Sequence, residues 1–217
     1  MVLIIYIIKK MFRVKTMFLK EYLIYMSKHL PAWLFIMLIS LTALYIVTSL
    51  SYPRTSEKIV VEGVERVTKV AEKVSNIKKN VSMENKTIIE KQVNLWYAAL
   101  IIYLNNLKVN LLFAIPLAGA VFYAYALTYN AWVIRYLGAS LFGPTGYIDF
   151  LVKLLGEPHT YLELLAYSIV VTESSYIGYK LLFTRDATRR DILYYLFSLL
   201  ISNIILCIAA YIEVMVF

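Results

Sequence analysis

The sequence predicts an all-α fold: a polytopic transmembrane helix bundle of about five spans, with a basic amphipathic helix at the N-terminus and a helical arm outside the membrane. Three observations predict it. The 217 residues are 61% hydrophobic and 17% charged, against about 45–50% and about 25% in soluble domains, so a water-borne globule of this size could not hide its apolar surface. Uncharged apolar stretches long enough to cross a bilayer recur along the chain. The charged residues gather into a few segments between those stretches. The net charge of +8 therefore reads as cytoplasmic flanks facing anionic lipid, not as a surface for nucleic acid.

Residues 1–30 mix apolar residues with Lys9, Lys10, Arg13, Lys15, Lys20 and Lys28 against one acid, Glu21. This is the pattern of a basic amphipathic helix on the cytoplasmic face. Its apolar-then-basic order is the reverse of a secretory leader, and none is expected. Residues 31–52 carry no charge and form the first transmembrane helix, with Pro31 suited to a first turn and Trp33 and Tyr52 to the two interfaces. Residues 53–92 are charged and place Val64, Val67, Ala71, Val74 and Val81 on a three-four spacing that Lys78 interrupts. They read as an external amphipathic or coiled-coil arm, through whose seam a homo-oligomer could form. Asn80-Val-Ser and Asn85-Lys-Thr are glycosylation-type sequons, in keeping with an external arm.

Residues 93–217 form the multi-span bundle. Two spans near 93–114 and 117–139 turn at Pro116, and a Gly/Pro-punctuated connection with a short amphipathic stretch follows over 141–158. Residues 159–183 and 192–217 are the last two spans, joined by the charged turn 184–191. With the N-terminus inside, five spans bring Arg185, Arg189 and Arg190 back to the cytoplasm, as the excess of basic residues in cytoplasmic loops requires. Four spans would put them outside. Cys207 is the single cysteine, so a disulfide framework or a cysteine-rich metal site is excluded.

Ionisable residues within spans are costly and mark candidate functional positions. His159 and Glu163 lie one turn apart on one helix face, behind a Pro158 that opens the helix, and could pair along that face. Glu173 lies further along the same span, and Glu213 lies in the last one. Both are expected to be protonated or to pair inward with Asn106, Asn130, Arg135 or a partner protein. Asn105 and Asn106 can hydrogen-bond across helices as polar glue. No metal site is expected, because His159 has too few companions and His29 belongs to the opposite membrane face. The zinc-protease, serine-hydrolase and phosphate-loop motifs are missing, so neither an enzyme nor a cofactor is expected.

The order of these polar groups resembles the stage II sporulation protein M family of multi-span membrane proteins. The family's marked segment, a proline-histidine-glycine opening with a glutamate one turn on, reads here as Pro158-His159-Thr160-Tyr161-Leu162-Glu163. Upstream, "YLNNLKVN" at 103–110 and "YNAWVIRYLGAS" at 129–140 follow the family's Asn-rich span and its Asn-Gly and Leu-Gly pairs, the last ending on Gly138. Ala209-Ala210-Tyr211-Ile212-Glu213 matches the closing pattern. Thr160 and Ala131 stand where glycines are usual, and looser helix packing is expected at both. The resemblance covers about residues 95–217. It implies a non-enzymatic membrane protein that recruits or organises partners, as the bacterial namesake localises peptidoglycan-degrading proteins during engulfment.

Abundant Ile, Leu and Tyr, with Gln92 as the only glutamine, suggest a thermophile, and the sequons an archaeal one. Only scaffolding, membrane remodelling or transport would then carry over. The expected partners are membrane lipid and other membrane or external proteins, in the plasma membrane, with residues 53–92 outside. The alternative is a permease-like subunit in which Asn106, Asn130, His159, Glu163 and Glu173 line a polar path.

Overall fold

In the computed structural model, residues 2–50, 57–82, 88–143 and 145–216 are described, with side chains from Leu19 onward except 57–59, 63, 66–67, 70, 78–82 and 88–91. Among them there is no strand. Seven α-helices follow one another: α1 (Val2–Ser49), α2 (Glu57–Ser82), α3 (Ile88–Phe113), α4 (Ala118–Phe142), α5 (Tyr147–Leu155), α6 (Pro158–Tyr179) and α7 (Arg189–Val216). A π-helical turn, Lys180–Thr184, extends α6. Three helical stretches are long and apolar enough to cross a membrane: Leu19–Ser49, Gln92–Phe113 and Arg189–Val216.

Side-chain contacts fix the directions. Tyr22 near the middle of α1 bonds Ser198 in the first half of α7 at 3.0 Å, whereas Ala98 and Ala99 of early α3 pack with Ala210 and Val214 of late α7. α1 and α7 therefore run together and α3 runs against them. Late α3 meets early α4 through the edge-on rings of Phe113 and Tyr123, and Ser40 of α1 bonds Tyr123 at 2.6 Å. α6 runs opposite to α1 and α7, since Lys180 at its end bonds Asp191 at the start of α7 at 3.0 Å. Helices α1, α3, α4, α6 and α7 thus alternate in direction. Glu21 and Arg190, 3.3 Å apart, mark one end of the bundle. That end carries the exposed Lys20, Lys28, Arg185 and Arg189.

One expectation is corrected. No separate helix ends before Pro31: α1 runs unbroken from Val2 to Ser49 with Pro31 inside it. A proline within a helix removes one backbone bond, which neighbouring helices can offset. Within the predicted arm, the described helix is α2. α2 packs along α3, with Val74 and Ile77 against the Ala98–Val214 cluster and Val60 fully buried. Val74 and Ile77 find apolar partners within the same chain, which removes their surface from water, whereas Ala71 is exposed. The seam positions Val67 and Val81, Lys78 and the sequon Asn80 have no described side chains, while Tyr52 and Asn85 lie outside the described residues.

The α3–α4 turn, Ala114–Leu117, contains Pro116 and holds Leu117 in the left-handed region at φ 64°. Two glycines let α6 and the turn approach. A Cβ on Gly178 would lie 2.8 Å from the Leu117 nitrogen, and one on Gly119 would lie 1.9 Å from the Phe113 carbonyl oxygen and 2.9 Å from Ser174 Oγ. This seats α6 at the centre of the bundle, where most of its buried side chains are found.

Candidate functional site

α6 brings one ionisable group to each half of the bundle, and the two are held differently. Glu173, 1% exposed, faces α1. Its Oε1 accepts from His29 Nδ1 at 2.7 Å and from Trp33 Nε1 at 2.9 Å, and its Oε2 accepts the Tyr25 hydroxyl. Tyr25, His29 and Trp33 recur once per turn, so α1 presents them as one vertical row. Around this carboxylate Tyr25 lies 4.0 Å from the imidazole centre, and Tyr176 meets it edge-on at 5.1 Å. Tyr194 of α7 lies tilted beside Tyr25, with ring centres 4.6 Å apart. Lys180 sits 5.0 Å over the Tyr176 ring, but its charge is committed to Asp191.

Towards the other end of α6, Glu163 faces α3 and accepts from Asn106 Nδ2. Glu213 of α7 stands within electrostatic reach of it. Between the two carboxylates, Asn110 of α3 donates to Ser202 Oγ at 3.0 Å and to Asn203 Oδ1 at 2.9 Å. Ser202 in turn donates to the Ala166 carbonyl at 2.9 Å. These bonds tie α3, α6 and α7 where lipid would otherwise meet unsatisfied polar groups.

The helix opens where the sequence placed it: Pro158 occupies its first turn after an extended Glu157. His159 is buried in that turn, and Thr160 Oγ1 reaches back to the Leu154 carbonyl at 2.9 Å. At the positions where glycines are usual, Thr160 and Ala131 are both buried, Ala131 completely. Close approach is made at Gly138, where a Cβ would lie 2.4 Å from the Tyr147 Cα. Arg135 does not meet a glutamate. It donates to the Thr48 and Ser49 carbonyls at 2.8 and 3.0 Å and lies 4.4 Å over the Tyr147 ring. It thereby caps the last turn of α1, whose carbonyls have no helical partner and carry the negative end of the helix dipole.

Asn105 and Asn130 are exposed on the outside of the bundle. Asn105 is one residue, and hence about 100°, round the helix from Asn106, so only one of the pair can face inward. The pairings expected for Glu173 with Asn106, Asn130 or Arg135 are therefore replaced by the row on α1. Trp33, expected as an interface anchor, is 1% exposed. The signal that could have found this site is the four-residue spacing of three donors opposite a single mid-span glutamate. Among the described residues, no group of three or more His, Cys, Asp or Glu could hold a metal ion.

The profile of stage II sporulation protein M matches residues 29–216. The chain belongs to the stage II sporulation protein M family. The match extends well upstream of the motifs at 103–110, 129–140, 158–163 and 209–213. It takes in α1 from His29 onward and all of α2, so the Glu173 row from His29 to Trp33 falls inside it. The family and the apolar helices together make this a membrane protein. No curated protein and no solved structure matches the chain.

Proposed function

We propose that this is a non-enzymatic scaffold of the plasma membrane, which crosses it five times and organises partner proteins or membrane shape. The five crossings are α1, α3, α4, α6 and α7. At 1.5 Å per residue, the 25 residues of α4 and 22 of α6 reach roughly 37 and 33 Å, enough for a hydrocarbon core of about 30 Å. The basic end of the bundle then faces the cytoplasm and α2 lies outside. One observation carries the scaffold reading: the polar groups of the spans satisfy one another across helices. Glu173 accepts three donors, Glu163 accepts from Asn106, and Asn110 bonds Ser202 and Asn203. Groups so committed fasten helices together, and the exposed polar face of α2 is left for external partners.

The second reading, a permease-like subunit, draws on the grouping of Glu163, Glu213 and buried His159 towards the outer end. Two measurements separate the readings. Affinity capture of the intact chain from its native membrane should bring down a defined set of proteins in fixed ratio. Single cysteines at 106, 163 and 173 should resist water-soluble thiol reagents from both sides. Labelling at all three positions, without a co-purifying protein, would replace the scaffold with a transport path.

A further inference from the structure

The tip between α6 and α7 sets an exposed apolar group directly against uncommitted cations. α6 does not stop at Tyr179, because the π-helical turn Lys180–Thr184 carries it on. Leu181, Leu182 and Phe183 are 44%, 61% and 69% exposed, and Tyr179, stacked with Phe183 at 5.7 Å, is exposed as well. Successive helical residues point in different directions round the axis. Exposure of three in a row therefore means that α6 has run past the helices that cover it.

The chain then passes from apolar to charged within two residues. Arg185 ends the turn at φ 54°, in the left-handed region that residues with a Cβ seldom adopt. Between 180 and 191 four cations stand against two acids. Lys180 is committed to Asp191 at 3.0 Å, and Arg190 lies 3.3 Å from Glu21. Asp191 also fixes the start of α7: its carboxylate accepts from the Thr188 nitrogen at 2.8 Å, and its own nitrogen donates to Thr188 Oγ1 at 3.2 Å. Arg185 and Arg189 are exposed and enter no ion pair among the described residues. Asp186, the one acid of the tip without a cation partner, accepts the Thr184 hydroxyl.

We propose that this tip binds an anionic phospholipid of the cytoplasmic leaflet, with Leu182 and Phe183 among the upper acyl carbons and Arg185 and Arg189 on the phosphate. Place and charge together select lipid as the occupant. The 22 residues of α6 reach roughly 33 Å, against a hydrocarbon core of about 30 Å, so the π-turn falls where acyl chains meet headgroups. Acyl chain covers an exposed apolar group at that depth, and the free cations behind it meet the phosphate layer. Arginine suits this contact, since its planar fork pairs with two phosphate oxygens. Basic flanks by themselves attract anionic lipid only loosely. The apolar group adds a second signal, and two signals anchor more firmly than one. The proposal rests on α6 being one of the five crossings, and not on the scaffold role.

The full chain in lipid nanodiscs tests it. Phosphatidylglycerol and phosphatidylcholine, each with a nitroxide on the acyl chain, are compared for the share that the protein immobilises. Phosphatidylglycerol should be preferred several-fold at low salt, and less as salt rises. R185Q/R189Q should remove most of that preference, while K153Q, at an exposed lysine of α5, should keep it. An unchanged preference in R185Q/R189Q, or an equal loss in K153Q, would overturn the proposal. A second measurement reads the apolar part. In a C207S background, L182C carrying nitrobenzoxadiazole should be quenched by a nitroxide near the top of the acyl chain, and A187C should not. Equally weak quenching at the two positions would put the tip in water and sink the idea. S174C, at a buried position of α6, tells the two readings apart. Its protection from water-soluble maleimide on both sides keeps the crossing even where the tip proves unselective, whereas its labelling removes the crossing and the proposal together.

Discussion

Glu173 and Glu163 lie on one helix and have the same chemistry, yet the bundle treats them differently. Glu173 is enclosed by three donors from successive turns of a single neighbour. Glu163 has one amide donor from α3, and a second carboxylate, Glu213, stands near it on α7. The lesson is that the cost of a carboxylate in a membrane protein depends on the row it faces. A helix presenting a donor on each turn can hold an anion firmly. A helix offering one amide holds it through a single contact, and the rest of the burden falls on neighbours.

Removing the acceptor from the well-served centre should give the largest effect. Glu173→Ala leaves His29, Trp33 and Tyr25 buried or half-buried without the oxygens they donate to. Breaking a buried charged network from one side costs about 3–5 kcal/mol. Unfolding in mixed micelles with increasing SDS should show a loss of that size. Glu173→Gln, which keeps one carbonyl oxygen, should lose less. Equal losses in the two variants would mean that volume, not the anion, decides stability there.

The outer centre should respond more weakly. Asn106→Ala removes one interhelical bond, for which double-mutant cycles within membranes average about 0.6 kcal/mol. Because Asn106 is the amide donor to Glu163, the loss is expected to rise to about 1–3 kcal/mol, the cost of leaving a buried polar group unsatisfied. In the double variant with Glu163→Leu, the second change should recover part of the loss, because the orphaned carboxylate goes with it. Additive losses would show that Asn106 and Glu163 do not act as a pair.

Much of the fold was legible because its signals are local. Pro116 marked the turn between α3 and α4, the Gly/Pro-rich connection contained α5, and Pro158 opened α6. Two things were not legible, each for a physical reason. Proline is a strong breaker in water but is tolerated inside a membrane helix, so Pro31 looked like a boundary and is an interior residue of α1. The valine stripe of α2 carries no information about whose apolar surface covers it. Here α3 lies along Val74 and Ile77. The candidate site was half legible. The carboxylates announce themselves by their cost in an apolar span, whereas their donors, Tyr25, His29 and Trp33, look individually like ordinary interfacial residues. Only the register between α1 and α6, a long-range property, aligns them with Glu173.

The smallest effect tests the register of α3 itself. Asn105 and Asn106 are adjacent in sequence and identical in chemistry, but the helix turns about 100° between them. Asn106 therefore meets Glu163 while Asn105 is exposed. On an outward, membrane-facing position leucine is the more favourable residue, so Asn105→Leu should change stability by no more than about 0.5 kcal/mol, and in the stabilising direction. Asn130→Leu should behave in the same way, since Asn130 also faces outward. If Asn105→Leu were as damaging as Asn106→Ala, the face of α3 turned to the bundle would have to include both asparagines. Glu163 would then have two amide partners, and the contrast between the two carboxylate centres would disappear.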